Sequence, residues 1–267
     1  MDRKPAGWLP DASDEATDRL FVSALARGLE ILRTFRPSDG VLGNLEIARR
    51  TGLPSATVSR LTYTLTKLGY LEHLPRLGKY QLGPAVLALG YAAYSDLDIR
   101  RRARPVMDEF AKREKVNVGL ATPDRLDMLY IESCRETGSM MHRLEAGSRI
   151  PMATTAMGRA YLAGIGAAER DFLMRRIEET AAADWRRLAK EIENALASVA
   201  KRGFCVTNWQ PDIIAAGVPM RGPNGPFRYA MNVGGPTFLI GRDRLETDLA
   251  PRLVSLVRNL ERELGFA

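Results

Sequence analysis

The chain has 267 residues, enough for two domains, and 45% of them are hydrophobic, which is ample for real cores. Its net charge of +7 and its pI near 9.6 favour a polyanionic partner, although basicity alone describes only solubility and non-specific binding. Two cysteines, no signal sequence and no membrane-spanning apolar run exclude a disulfide framework and a membrane protein, so we expect a soluble, cytoplasmic protein.

The charge is unevenly distributed along the chain. Residues 1–18 hold five acidic and two basic residues with two prolines, a composition typical of a disordered tail. Residues 19–82 instead hold ten Lys and Arg against four Asp and Glu. This basic region begins with a helix predicted over Leu20–Phe35 from its recurring apolar residues, and turn residues at 37–40 end it.

Two short helices joined by a tight turn are predicted over Asn44–Leu68. Asn44 is a good N-cap for the first helix, and Gly52 can take the positive φ that closes it. Pro54 and Ser55 then supply a preset φ and a capping hydroxyl for the second helix. Its apolar residues recur at helical spacing and predict one buried stripe, formed by Val58, Leu61, Leu65 and Leu68.

The opposite face of the second helix carries small, hydroxyl-bearing and basic side chains, namely Ala56, Ser59, Arg60, Tyr63 and Lys67. A helix–turn–helix places such a face in the major groove of DNA, with its N-terminal residues nearest the bases. The alternative is an αα-hairpin within an ordinary helical domain, in which the charges are merely solvated.

A β-hairpin is predicted after this helix, from strand-like segments at 70–73 and 79–82 around a basic turn. Such a wing can set Arg76 and Lys79 beside phosphates or the minor groove of DNA. A hairpin that only closes the small core is the alternative for either residue. Residues 19–82 are thus predicted to form a winged helix–turn–helix domain that binds operator double-stranded DNA.

Residues 84–94 are apolar nearly all round, so a helix there has to be buried. Its natural partner is the same helix of a second subunit, because a dimer reads two half-sites. We therefore assign residues 83–98 to a linker and dimerisation helix. Another helix is predicted over 98–115, and its basic run at 100–104 is better read as a solvated helix start than as a DNA contact.

From Val116 the pattern changes to strands, then helices, then strands again, and the chain closes with a helix over Asp243–Leu264. This order indicates an α+β domain with a mixed or antiparallel sheet, which we place at residues 99–267. The strands are expected at 116–121, 126–132, 139–144, 204–207, 213–220 and 227–233, and the remaining helices at 157–163, 169–178 and 185–201.

Several ordered motifs make the chain resemble the IclR-type bacterial transcriptional regulators. They are Phe21–Leu29, Thr57–Leu61, Tyr80–Gly83, Ile150–Met152, Ala153–Ala160 and Asn232–Pro236. The resemblance covers residues from about 20 to 264. It implies a winged helix–turn–helix followed by a GAF-like effector-binding domain, assembled as homodimers that often pair into dimers of dimers.

On the second helix, the resemblance assigns DNA contacts to Thr57 and Arg60. Helical projection supports Arg60 strongly, whereas Thr57 lies nearer the buried stripe. Arginine is the usual bidentate reader of guanine, and hydroxyl groups suit phosphates. The residues predicted to contact DNA are Ser55, Thr57, Ser59, Arg60, Tyr63, Arg76 and Lys79.

The resemblance also implies an effector pocket formed near Ala156, near Ile213 and along Met231–Gly234. Several positions, such as Gly217 and Asn232, lack the cysteine or serine that some family members carry there, which argues against a small oxoacid. The apolar residues Met140, Leu144, Ile150 and Met157 instead suggest a larger and more apolar effector. Core packing is the alternative for each methionine. The residues predicted to contact the effector are Met140, His142, Leu144, Ile150, Ala156, Met157, Ile213, Asn232 and Gly234. Those expected to orient it are His142, Thr154, Thr155 or Asn232.

No catalytic motif is complete in the sequence. Two histidines and two distant cysteines give no metal spacing, and the S-x-x-K match at 198–201 lacks its companion motifs. We therefore expect no enzyme activity, no metal and no cofactor. The main hypothesis is a ligand-responsive regulator of a catabolic operon for an aromatic or other small organic acid. The alternatives are an enzyme built on the C-terminal domain and a thiol redox sensor using Cys134 or Cys205, which needs an exposed thiolate of low pKa.

Overall fold

The computed structural model describes residues 20–36, 39–95, 97–135, 144–223 and 225–266, so the predicted acidic tail lies outside the described residues. The chain divides into two compact units, residues 1–96 and 97–267. The elements of the first unit are α1 (Ser23–Arg33), β1 (Leu42–Gly43), α2 (Asn44–Thr51), α3 (Ser55–Lys67), β2 (Leu71–Leu74), β3 (Lys79–Leu82) and α4 (Pro84–Ser95). Its strands form an antiparallel sheet in the order β1-β3-β2, so the hairpin wing is confirmed.

A small apolar core holds the helices of the first unit together. Ile31 of α1, Ile47 of α2 and Val58 of α3 are fully buried in one cluster. The prediction that Leu68 completes the buried stripe of α3 is wrong, because the helix ends at Lys67 and Leu68 is 62% exposed.

The turn between α2 and α3 uses different polar contacts from those predicted. Gly52 ends α2 at a φ of 72°, as expected. Asn44, however, is the first residue of α2 rather than its cap, and Ser55 makes no capping hydrogen bond. Asn44 Nδ2 instead donates to Ser59 Oγ at 3.2 Å, and Asn44 Oδ1 accepts from Thr62 Oγ1 at 3.3 Å. The amide therefore ties the start of α2 to the middle of α3.

Helix α4 is apolar but buries no residue of its own among the described residues. Leu87, Leu89 and Tyr91 are 74%, 59% and 68% exposed. The prediction that a second subunit covers this helix stays a prediction.

The second unit is α+β. Its elements are α5 (Asp98–Glu114), β4 (Asn117–Asp124), β5 (Asp127–Cys134), β6 (Arg149–Pro151), α6 (Ala156–Gly164), α7 (Ala167–Ala181), α8 (Trp185–Arg202), β7 (Cys205–Gln210), β8 (Ile213–Arg221), β9 (Phe227–Pro236) and α9 (Ala250–Glu263), the last preceded by helical turns at Arg242–Arg244 and Leu245–Leu249. Its strands form one antiparallel sheet in the order β6-β5-β4-β9-β8-β7. Residues 139–143 of the strand predicted at 139–144 lie outside the described residues, and Leu144 is not in a strand; β6 forms the edge beyond β5.

The sheet separates two layers of helices. One face packs on α5 and α9 in a large core that includes Met107, Leu120 and Leu253. Helix α6 packs on the other face, and two glycines allow close backbone contacts at its start. A Cβ on Gly158 would overlap the backbone of Met152, and a Cβ on Gly217 would overlap the backbone of Ala156. The start of α6 is therefore held directly against β8 and against the residue that follows β6.

Glu114, the last residue of α5, ties this helix to α9. Its carboxylate accepts hydrogen bonds from Arg252 of α9 and from Arg113 Nε, the latter at 2.8 Å. The Glu114 side chain is 11% exposed. These two guanidinium groups, Arg252 foremost, hold the pKa of Glu114 down to about 2, against an ordinary value of 4.5.

We expect Glu114→Gln to lower the free energy of unfolding by about 2 kcal/mol at pH 7 and by roughly half as much at pH 3. The folded-state pKa lies below the unfolded one, so the ionised group stabilises the fold above pH 4.5, and this stabilisation is lost as the pH falls toward 2. Urea denaturation at the two pH values measures the difference. Glu109→Gln, at an exposed position on the same helix, is the matched control, and a Glu114→Gln loss of equal size at both pH values would contradict the assignment.

Candidate functional site

The exposed side of the first unit carries the side chains predicted to contact DNA. Those exposed on α3 are Ser55, Ser59, Arg60 and Tyr63, those exposed on the β2–β3 hairpin are Arg76 and Lys79, and Thr57 is half-buried. Two of them already have neighbours: Ser59 accepts from Asn44, and the Lys67 ammonium lies 5.5 Å from the centroid of the Tyr63 ring. The remaining hydroxyl and cationic groups face outward from one compact unit.

Arg60 differs from the arginines of the neighbouring helix α2. Within the part of the chain that the structure describes, its guanidinium makes no hydrogen bond and no ion pair. Arg50, in contrast, donates to Glu46 and to Asp39, and this contact lowers the pKa of Asp39. Arg49 is also held by Glu46. Arg60 thus keeps its five N–H donors for an external partner, such as the O6 and N7 acceptors of guanine.

A pocket lies in the second unit between the sheet and the start of α6. Its floor is made of small residues on three adjacent strands, Gly119 of β4, Gly234 and Gly235 of β9, and Ala215 of β8. Thr155 and Ala156 close it from the helix side. The cavity has a volume of about 80 Å³, so it suits a small molecule.

The pocket contains most of the residues predicted to contact an effector. The six that line it are Leu144, Ile150, Ala156, Ile213, Asn232 and Gly234. Met157 is fully buried and is not among the lining residues, so the pocket gives its predicted effector contact no support. Met140 and His142 lie outside the described residues. Of the residues expected to orient the ligand, Thr155 lines the pocket and Thr154 does not.

Sequence reasoning missed most of the polar lining, which comprises Asn117, Tyr130, Ser133 and Arg135 together with the indole of Trp209. Tyr130 and Ser133 are three residues apart on β5, which places them on opposite faces of a regular strand. A β-bulge opposite Leu120 and Ala121 puts both of them on the pocket face. The alternation of residues along the strand therefore gave no signal for this pair.

The pocket is lined by two different kinds of polar group, one neutral and one charged. Tyr130 is buried, and Asn232 Nδ2 donates to its phenolic oxygen at 3.1 Å. Burial raises the pKa of Tyr130 to about 12, so the phenol is protonated at neutral pH. Arg135 brings a positive charge to the lining; its side chain is 35% exposed, and Nη2 lies 3.8 Å from the Glu145 carboxylate. A neutral hydroxyl and a cation thus line the same pocket.

The start of α6 adds to the positive character of the pocket. Thr155 Oγ1 accepts from the N–H of Gly158 at 3.2 Å and so caps the helix. A helix N-terminus carries a partial positive charge that favours anions. Together with Arg135 and the apolar walls at Leu144, Ile150 and Ile213, this end of the helix makes the pocket suitable for an organic anion.

The cysteines do not have the environment that a thiol redox sensor needs. Cys134 and Cys205 are both buried. Burial raises the pKa of Cys134 to about 11 and that of Cys205 to about 12. Cys205 Sγ also donates to the Ala156 carbonyl at 3.3 Å. Reactive thiols are exposed and have lowered pKa values, so the geometry argues against redox sensing.

Two further properties bear on the class of protein. Among residues 20–36, 39–95, 97–135, 144–223 and 225–266, no group of three or more His, Cys, Asp or Glu residues is arranged to hold a metal ion. The same residues form no helix with the length and apolar character needed to cross a membrane.

Comparison with known proteins yields two family models that match successive parts of the chain. The IclR helix-turn-helix domain matches residues 24–75, and the bacterial transcriptional regulator IclR C-terminal domain matches residues 91–262. Among curated proteins, the HTH-type transcriptional regulator TsaQ1/TsaQ2 of Comamonas testosteroni is 33% identical over 264 residues, which cover 97% of this chain and 94% of that protein.

Solved structures show the same two-domain fold. An IclR family transcriptional regulator from Brucella abortus is 41% identical, with a TM-score of 0.89 and coverage of 95% of this chain and 97% of that one. An IclR homolog from Microbacterium hydrocarbonoxydans, crystallised in complex with 4-hydroxybenzoate, is 22% identical, with a TM-score of 0.66 and coverage of 91% of this chain and 100% of that one.

Proposed function

Because the chain belongs to the IclR family of bacterial transcriptional regulators, we propose that it controls a catabolic operon in the cytoplasm and that a single-ring aromatic carboxylic acid is its effector. The observation that carries the effector class is the presence of Arg135 in a small pocket with apolar walls. A guanidinium group in a partly enclosed site binds a carboxylate through charge-assisted hydrogen bonds.

The shape of the pocket supports a flat, small ligand. Its floor is made of glycine and alanine, and the side chains of Trp209 and Ile213 stand beside it. Aromatic and aliphatic side chains of this kind bury the ring of a ligand, while a few polar groups fix its orientation. A single flat ring suits the floor of glycine and alanine and is smaller than the effector expected from the sequence. Binding of 4-hydroxybenzoate by the homolog from Microbacterium hydrocarbonoxydans supports the same class.

The DNA side of the proposal places α3 in the major groove and the β2–β3 hairpin beside the backbone. The unpartnered Arg60 supports base contacts by α3, and the exposed Arg76 and Lys79 support phosphate contacts by the hairpin. Two copies of the chain pair through the apolar, exposed helix α4, because burying Leu87 and Tyr91 removes apolar surface from water. Such dimers read paired half-sites and can pair again into a dimer of dimers.

Calorimetric titration of the purified protein tests the effector class. We expect benzoate-type acids to bind more tightly than cyclohexanecarboxylate and much more tightly than small oxoacids such as pyruvate, because only a flat ring fits over the glycine floor. Tighter binding of pyruvate would contradict the proposal. Turnover of the aromatic acid without any binding to operator DNA would favour an enzyme built on the C-terminal unit.

A further inference from the structure

Tyr130 and Asn232 meet above Gly119 on the pocket floor. Strand β4 lies between β5 and β9, and its residue Gly119 pairs with Ser133 on one side and with Asn232 on the other. A Cβ on Gly119 would overlap the Tyr130 ring and would lie 2.6 Å from Asn232 Oδ1. Only glycine at this position leaves room for both side chains.

The hydrogen bond between Tyr130 and Asn232 uses neither the phenolic hydrogen of Tyr130 nor the amide oxygen of Asn232. Asn232 Nδ2 donates to the phenolic oxygen, and the phenolic hydrogen meets no acceptor among the described residues. Asn232 Oδ1 likewise accepts no hydrogen bond from the residues that the structure describes. Both residues line the pocket, so the free donor and the free acceptor are available to a ligand.

A hydroxyl group complements this pair. Its oxygen accepts from the Tyr130 hydroxyl, and its hydrogen is donated to Asn232 Oδ1. A carboxylate has no hydrogen to donate, and its charge is repelled by the amide oxygen. Arg135 offers the carboxylate a better partner elsewhere in the pocket.

We propose that Tyr130 and Asn232 read a neutral hydroxyl group on the effector, so that the protein prefers a hydroxylated aromatic acid to the parent acid. This inference rests on the proposed aromatic-acid effector and names the part of the site that distinguishes members of that class. Tyr130 acts as the hydrogen-bond donor and Asn232 as the acceptor, and Gly119 is required because it allows the two side chains to meet.

The test is a set of calorimetric titrations with benzoate and with 2-, 3- and 4-hydroxybenzoate. The wild-type protein is expected to bind one hydroxybenzoate isomer about tenfold more tightly than benzoate, the effect of one or two well-placed hydrogen bonds. Tyr130→Phe and Asn232→Ala should each lose most of this preference, measured as the ratio of hydroxybenzoate to benzoate affinity within the same variant. Tyr161→Phe is the matched control, since this buried hydroxyl donates to Glu169 and is not part of the lining.

Three outcomes separate the inference from the proposed function. If the wild type binds benzoate and every hydroxybenzoate equally well, the inference is overturned and the aromatic-acid effector is left intact. The same conclusion follows if Tyr130→Phe and Asn232→Ala both keep the wild-type preference for a hydroxybenzoate over benzoate. Failure of all four acids to bind would overturn the effector class, and the inference with it. If Tyr130→Phe does not fold, the inference is tested by comparing the preference for a hydroxybenzoate over benzoate in the wild type and in Asn232→Ala.

Discussion

Arg60→Ala is expected to weaken binding to operator DNA by roughly ten- to a hundredfold, the discrimination that one bidentate arginine–guanine contact provides. The guanidinium has no partner within the described residues, so its removal disrupts no internal contact and the fold is unaffected. Gel-shift titration with the promoter region beside the protein's own gene measures the loss. The variant should also bind non-specific DNA almost as well as the wild type.

The control for Arg60→Ala is Arg175→Ala, which removes the same charge from an exposed position of α7 in the second unit. Binding of the wild type should fall steeply as the salt concentration rises, because phosphate contacts release counterions. Unchanged operator affinity of Arg60→Ala would show that α3 is not the base-reading helix. Equal losses in both arginine variants would assign the effect to net charge alone.

Arg135→Gln is expected to weaken benzoate binding by roughly ten- to a hundredfold, because the variant loses a charge-assisted contact to the carboxylate. Glutamine keeps hydrogen-bonding capacity and much of the side-chain length, so the change isolates the charge. Calorimetric titration with benzoate measures the effect, and the affinity for operator DNA without effector should be unchanged.

Two comparisons sharpen the Arg135 prediction. Benzamide, which is neutral, should bind the wild type weakly and lose little further affinity in Arg135→Gln. Arg149→Gln removes the same charge from β6, where the side chain pairs with Asp124 at 2.7 Å and does not line the pocket, and it should leave benzoate binding unchanged. Benzoate affinity that survives Arg135→Gln would place the carboxylate elsewhere, with the start of α6 as the next candidate.

The exposed face of α3 that we propose to contact DNA was largely predictable because it depends on local sequence. Helical spacing identified the face that carries Arg60, and Gly52 marked the end of α2. The errors lie where tertiary contacts override local preference. Asn44 was predicted to cap its own helix but binds Ser59 and Thr62 fifteen and eighteen residues away. Leu68 was assigned to the core by spacing, although the helix ends one residue earlier.

The pocket was only partly predictable because it depends on how strands pair. The resemblance to a family located Ala156, Ile213 and Asn232, whose strands and helix do form the site. Tyr130 was not found because the bulge in β5 changes the face of its side chain, and a bulge has no clear signal in a single sequence. Arg135 follows the end of the same strand, where no alternation of buried and exposed residues indicates which side chains line a pocket.

We expect effector binding to change the affinity for DNA, and fluorescence anisotropy of labelled promoter DNA measures this change. The DNA is titrated with protein without effector and then at a saturating concentration of the hydroxybenzoate that binds best. The affinity for DNA should change roughly 5- to 150-fold, and the affinity for the acid should change by the same factor when DNA is present, because coupling is reciprocal. Identical DNA affinity with and without the acid, although each binds the protein separately, would show that the protein is not a ligand-responsive regulator of this class.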